Sequence, residues 1–392
     1  MAQQFSNILI YEDSIARSRR FLPLTYTRCV AELRSGATTG IERIRASFPE
    51  STIFVHVRPE LKDLVAFRHK LPVNEAPLGE TILVNARDAF LPNAEYSSHT
   101  FASLSAEIVK MVTSGEPIEL PQTDKSDAPD SLWQIITTNS EIIRGDTEQH
   151  TKELIEKRST AELPGVHSMN PSEIFLARDA RIDPGVVLDA TNGPILIGHR
   201  THIMPNSTII GPVAIAPDCI VKAGSKIYGG TSIGPVSKIG GEIENSIIQG
   251  YSNKQHDGYL GHSYLGEWVN LGAGTNTSDL KNNYSTVRVT IEGEEFDTDS
   301  LFVGLIMGDH SKSGIGTQFN TGTVVGVSCN IFDTGFPPKW IPNFSWGGAS
   351  GISNYRYDKA IEVARAVMKR RGIEFHDAEE TILKQLANFT QS

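Results

Sequence analysis

The chain has 392 residues, 39% hydrophobic and 21% charged, with a formal net charge of −10 at pH 7. That length leaves room for two domains with sizeable cores. No run of about 18 apolar residues suggests a membrane span, and the acidic balance speaks against non-specific binding to nucleic acid.

Taken in chain order, the first 160 residues read as alternating strands and helices. Asn7–Tyr11, 52–57 and Thr81–Asn85 are short apolar runs separated by helical or irregular stretches, which predicts a parallel, Rossmann-like α/β sheet. Residues 117–129 carry Pro, Asp and Ser and read as an exposed loop. Residues 138–157 read as a polar helix, and Pro164, Gly165 and Pro171 mark a linker placed at 161–173. The start MAQQFSNILIYED lacks the basic-then-apolar order of a secretory signal. Cys29, Cys219 and Cys329 lie too far apart to suggest a disulfide framework or a zinc site, so a reducing cytoplasm is expected.

From about Ile174 a different period takes over. Ile197, Ile203, Ile209, Ile215, Val221, Ile227, Ile233 and Ile239 stand six apart without a gap. Neither a helix nor an alternating strand has that period, whereas a parallel β-helix does, with one aliphatic residue pointing inward from each side of a coil. The ladder then slips by two, and a second phase runs through Ile247, Asn253, Tyr259, Leu265 and Leu271. A third is drawn through Val303, Ile315 and Val327. Residues 278–298 break the pattern and read as an excursion. Residues 332–348, rich in Pro, Trp and Phe, are expected to cap the open end, because a last coil exposes unpaired backbone. Residues 358–388 have helical periodicity. The expected division is thus an α/β domain (1–160), a β-helix (174–348) and a C-terminal helical extension (349–392).

His256-Asp-Gly-Tyr-Leu-Gly, followed fourteen residues later by Asn270-Leu-Gly-Ala-Gly-Thr275, resembles the acetyltransferase half of the bacterial bifunctional enzymes that make UDP-N-acetylglucosamine. The family motif has the form H-x-x-Y-x-G, then N-[IL]-G-A-G-T. Val303-Gly304 and Ile315-Gly316 match two later steps of that family. In the front half, Arg17-x-x-x-Phe21-Leu22-Pro23-Leu24-Thr25-x-x-Arg28, with Glu32-Leu33-Arg34-x-Gly36, resembles the opening of sugar-phosphate nucleotidyltransferases. The resemblance implies a left-handed β-helix of hexapeptide repeats, a homotrimer, acetyl-CoA as co-substrate and Mg²⁺ for nucleotide transfer. Three positions depart from it. Tyr11-Glu12-Asp13-Ser14 stands where a Gly-rich phosphate loop is expected, Cys29-Val30 replaces a Pro-Lys pair, and Glu244 replaces a lysine.

Acetyl transfer to an amine needs a group that takes a proton near neutrality, which suits histidine. The resemblance assigns that role to His256, with Asn270 in the catalytic site and Tyr259 on the acceptor. A backbone-bonded corner histidine, a core tyrosine and a turn asparagine are the plainer readings of the same residues. Lys222 and Lys254 are candidates for phosphate on the acceptor. Gly304, His310 and Lys312 are candidates for coenzyme A, with an exposed turn as the alternative. Arg17, Arg19, Arg20, Arg28 and Arg34 form a dense run of guanidinium groups suited to a nucleotide's phosphates, with Arg17, Arg28 and Arg34 the candidates and surface pairs with Glu12, Asp13 and Glu32 the alternative; Asp88 is the candidate metal ligand. The expected function is acetylation of an amino-sugar-1-phosphate, nucleotidyl transfer to a sugar-1-phosphate, or both. Two alternatives stay open. One is a UTP- or dTTP-dependent nucleotidyltransferase with a trimerising β-helix. The other is a trimeric sugar-nucleotide sensor without catalysis.

Overall fold

A computed structural model describes residues 6–92, 100–120, 127–154, 160 and 163–390. Its front domain is a four-stranded sheet of β1 (Asn7–Tyr11), β2 (Thr52–Val55), β3 (Thr81–Asn85) and β4 (Thr100–Phe101), in the order β2-β1-β3-β4. The first three strands run parallel in register, and β4 joins antiparallel at the edge. Helices α1 (Gly40–Ser47), α2 (Lys62–His69) and α3 (Ala106–Ser114) connect or flank them. Local signals explain the helix ends. Thr39 and Glu42 form a reciprocal capping box before α1. Ser105 caps α3, which stops at Gly115 in the left-handed conformation.

Helix α4 (Leu132–Leu154) leads to a three-sided column of parallel strands. One face has nine strands, from Ile174–Leu176 to Trp340–Ile341. The second begins at Arg181–Ile182. The third begins at His167–Met169, inside the segment expected to be linker. All eight members of the first ladder are buried to within 2% and share one core.

Beyond Ile239 the expected phase is off by one residue. Ile233 pairs with Ile248, not Ile247, and Ile239 pairs with Lys254, not Asn253. The inward residues are therefore Ile248, Lys254 and Leu260, followed by Leu265 and Leu271. Asn253 and Tyr259 point outward. The misreading has a physical cause. The outward column of the nine-stranded face, Ile247, Tyr264, Ile306 and Val324, is apolar because the front domain packs on it in a single continuous core. The third phase fails for a related reason. Val303 and Val327 are buried against outer layers, Ile315 is 86% exposed, and the inward slots belong to Ser313, Phe319, Val325 and Ile331.

The excursion forms the antiparallel hairpin Arg288–Ile291 with Glu294–Asp297. Residues 332–348 are the final coil rather than a separate cap. The closing strand is Gly351–Asn354, which pairs antiparallel with Ser345–Gly348. The C-terminal extension is two helices, α5 (Tyr357–Arg370) and α6 (Asp377–Thr390), packed on Trp268, Val327 and Phe344. His376, between them, stacks on Phe67 of α2 with ring centroids 3.8 Å apart, so the extension bridges column and front domain. Among the described residues no helix is long and apolar enough to cross a membrane. The three cysteines are buried and unbonded to one another.

Candidate functional site

Strand Asn253–Lys254 ends the second face of its coil, and Tyr259–Gly261 begins the third. His256 occupies the corner between them and is exposed. The coil below passes this corner as Gly240-Gly241, and the coil above as Gly272-Ala273-Gly274. Gly241 has φ +77°, and a Cβ there would lie 2.9 Å from both the His256 carbonyl oxygen and Lys254 Nζ. Small residues thus let three coils stack tightly around the histidine.

Lys254 holds the corner from within. It is 2% exposed and fills a slot that the ladder otherwise gives to an aliphatic residue. Its ammonium donates to the His256 carbonyl at 2.6 Å and to the Gly240 carbonyl at 3.1 Å. Burial lowers its pKa to about 8, against some support from Asp257. An ammonium spent on main-chain oxygens inside the prism is not available to a phosphate outside it, which corrects the reading of Lys254 as an acceptor contact.

Tyr259 projects outward from the third face and folds back across Gly261. A Cβ at Gly261 would lie 2.3 Å from the tyrosine oxygen, which gives the glycine of the motif a packing reason. The hydroxyl donates to Asp279 Oδ2 at 3.0 Å and faces Glu244 Oε2 at 3.3 Å. Burial, then Asp279 and Glu244, raise its pKa. His262 Nδ1 reaches the same Asp279 oxygen at 2.8 Å, and its ring stacks on Phe302. Burial opposes the Asp279 carboxylate, but His262 and Tyr259 hold it below the ordinary range. Asp279 and His262 were not singled out from sequence. The only signal was the histidine directly after the motif's glycine.

On the second face Lys238, Asn253, Asn270 and Lys312 stack in register. Asn253 Nδ2 donates to Asn270 Oδ1 at 3.3 Å, and Arg371 from the end of α5 donates to Asn253 Oδ1 at 2.9 Å. Burial lowers the Lys238 pKa, as do the neighbouring Arg371, Arg370 and Lys222. Lys222 itself stands at the His256 corner two coils below. His256, Tyr259 and Asn270 therefore share one edge of the column.

The coenzyme candidates are dispersed. Gly304 lies at a different corner, where a Cβ would strike the Gly261 carbonyl at 2.0 Å. His310 is 4% exposed and bonds Glu379 of α6 at 3.1 Å. Lys312 donates to the His310 carbonyl at 2.7 Å, and burial lowers its pKa to about 8. The Asp309–Lys312 segment is thus covered rather than an exposed turn, and its histidine is a structural partner.

The front-domain arginines serve packing. Arg28 is buried and bidentate to Asp309 of the column at 2.7 and 2.9 Å, with Thr27 Oγ1 adding a bond at 2.5 Å. Burial opposes both charges, yet Arg28 rises and Asp309 falls from the ordinary value because each faces the other. Arg34 donates to the carbonyls of Gln249 and Ala37. Arg17 donates to the Gly115 carbonyl and lies 3.3 Å from Glu12. None of the three is left free to bind a nucleotide. At the C-terminal ends of the parallel strands, where such sheets usually bind ligands, Glu12 and Asp13 stand instead of glycines. Asp13 is bonded by Arg87, Asn85 and the Ala16 amide. Asp88 opens a 3-10 turn after β3. Magnesium takes one or two carboxylates plus phosphate oxygens. Asp13 is so engaged, and among the described residues no group of three or more His, Cys, Asp or Glu is placed for a metal, so an ion at Asp88 would take most of its donors from a substrate's phosphates.

Residues 8–154 match the family model described as sugar nucleotidyl transferase. The chain is 34% identical over 152 residues to the bifunctional protein GlmU of Herminiimonas arsenicoxydans, covering 37% of this chain and 32% of that protein. Over these stretches the chain is similar to bifunctional nucleotidyltransferase–acetyltransferase proteins. GlmU of Synechococcus elongatus is 28% identical over 214 residues, covering 50% of this chain and 43% of its own. A bifunctional sugar-1-phosphate nucleotidylyltransferase/acetyltransferase of Sulfurisphaera tokodaii is 28% identical over 151 residues, covering 33% and 38%. Each match spans less than half of the relative's length. Relative to the family motif quoted above, the column keeps the histidine, tyrosine and asparagine on one edge, while the front sheet lacks the phosphate-loop glycines.

Proposed function

We propose that the chain is a transferase of sugar-nucleotide biosynthesis, and that its β-helix moves an acetyl group from acetyl-CoA to the amine of an amino sugar. The observation carrying this reading is the edge at position 256. His256 is exposed at the corner between the strand that Asn270 bridges and the strand that starts at Tyr259, with its main chain fixed by a buried lysine. In the reaction the amine nitrogen attacks the thioester carbonyl carbon, forming a C–N bond. His256 takes the proton that nitrogen sheds. The tetrahedral intermediate collapses as the C–S bond breaks, and the departing thiolate is protonated, giving an amide and free coenzyme A. Tyr259 and Asn270 orient the acceptor. The family relationship supports a homotrimer with sites between columns; light scattering that reports a monomer would count against it.

Thiol release from acetyl-CoA, followed with a disulfide dye over a panel of amino sugars, tests the reading. Release with at least one acceptor is expected, and none with any would refute acyl transfer. Nucleotidyl transfer by the front domain is the second reading, favoured by the family match over residues 8–154. The two carboxylates at its strand ends weigh against it. Pyrophosphate release from UTP or dTTP with a sugar-1-phosphate and Mg²⁺ would establish it.

A further inference from the structure

The surroundings of His256 differ in charge on its two sides, although Lys226 pairs with Glu242 lower on the third face. On the second face Lys238 lies among Arg371, Arg370 and Lys222, next in register to Asn253. On the third, the Tyr259 hydroxyl sits between the Asp279 and Glu244 carboxylates at 3.0 and 3.3 Å. Among the described residues the basic side chain bonded into that cluster is His262, and its Nδ1 is already spent on Asp279. A phosphate brought to the tyrosine would be a third anion beside two carboxylates. A hydroxyl or ammonium brought there would find two acceptors already in place.

We propose that Glu244 and Asp279 determine acceptor specificity. The acceptor presents a hydrogen-bond donor, not a phosphate, to the Tyr259 corner, so it is an amino sugar unphosphorylated at the end that Tyr259 touches. This rests on the acyl-transfer reading for the identity of the site. The cationic strip on the other side of the corner is then where phosphate-bearing groups of a reactant are tolerated.

Calorimetric titration of the full-length protein with glucosamine and with glucosamine-1-phosphate tests this. The unphosphorylated sugar is expected to bind at least tenfold more tightly. Glu244→Lys should shift that ratio at least tenfold toward the phosphate. Asp279→Asn, which keeps the side chain's shape, should weaken glucosamine binding. Tighter binding of the phosphate by the unaltered protein, a ratio that Glu244→Lys leaves unchanged, or binding of neither sugar would overturn the proposal. Thiol release measured in parallel separates the two ideas. Binding as expected without turnover refutes acyl transfer and leaves standing only the preference of the Tyr259 corner for an unphosphorylated sugar.

Discussion

Replacing Lys254 by methionine should separate the stability of the column from its activity. In the folded chain the lysine titrates at about 8, against an ordinary 10.5. Between those values the unfolded chain holds the extra proton, so the native protein gains stability as pH rises through that window and carries the full burden below about 8. The gap of roughly 2.5 pH units, at 1.36 kcal/mol each, makes the burden about 3 kcal/mol. Methionine removes it and fits an aliphatic slot. It also removes two hydrogen bonds to carbonyls, each worth about 1.5–3 kcal/mol for a charged donor. At pH 7 the variant should therefore be less stable than the parent by only about 0–3 kcal/mol, since replacing a buried charge by an apolar group is often close to neutral. At pH 10.5 it should have lost about 3 kcal/mol more relative to the parent than at pH 7. Activity should fall roughly tenfold or more at either pH, since the main chain of His256 is no longer anchored and small misplacements are costly in catalysis. Urea unfolding at the two pH values, with thiol release alongside, checks both claims. A stability difference independent of pH would refute the buried-ammonium argument, and unchanged turnover would refute the anchoring role.

Three further outcomes are expected. Gly261→Ala, whose Cβ would stand 2.3 Å from both the Tyr259 oxygen and Asp279 Oδ2, should displace that pair and raise the KM for the acceptor by roughly tenfold; an unaltered KM would show that the pair does not touch the acceptor. Asp309→Asn strips Arg28 of its main partner across the domain interface and should cost about 3–5 kcal/mol, seen as a lower unfolding midpoint that Arg28→Met in the same chain partly restores. Glu32 is opposed by burial but held down by His69 and Arg68 to about 2. Its contribution is complete above 4.5 and lost as pH falls toward 2, so Glu32→Gln should flatten the acid branch of the stability curve in that window.

The column was legible where the six-residue aliphatic period runs unbroken, even in strands buried on both sides. Ile197 to Ile239 could be read residue by residue because every sixth position is aliphatic and points inward without a break, whatever its neighbours are. The reading slipped at Ile247, where the outward face is also buried beneath the front domain, so the apolar pattern no longer reports which side is in. Lys254 compounded the slip by placing a cation in a core slot. In the front domain β1, β2 and β3 were readable as short apolar runs. The roles of Arg28 and Arg34 were not, because Asp309 and Gln249 lie more than 200 residues away along the chain. His256, Tyr259 and Asn270 were legible through their motif spacing. The carboxylate that holds the tyrosine, Asp279, was not, because it belongs to the following coil at the start of the excursion.

The most direct measurement is thiol release from acetyl-CoA by His256→Ala beside the unaltered protein, with the acceptor that the panel identifies. The residue is exposed at its corner, so the fold should survive the change. A rate lower by about 10²–10⁴ is predicted for loss of a general base. An undiminished rate would show that the proton leaves the amine by another route and that this corner is not the site of acyl transfer.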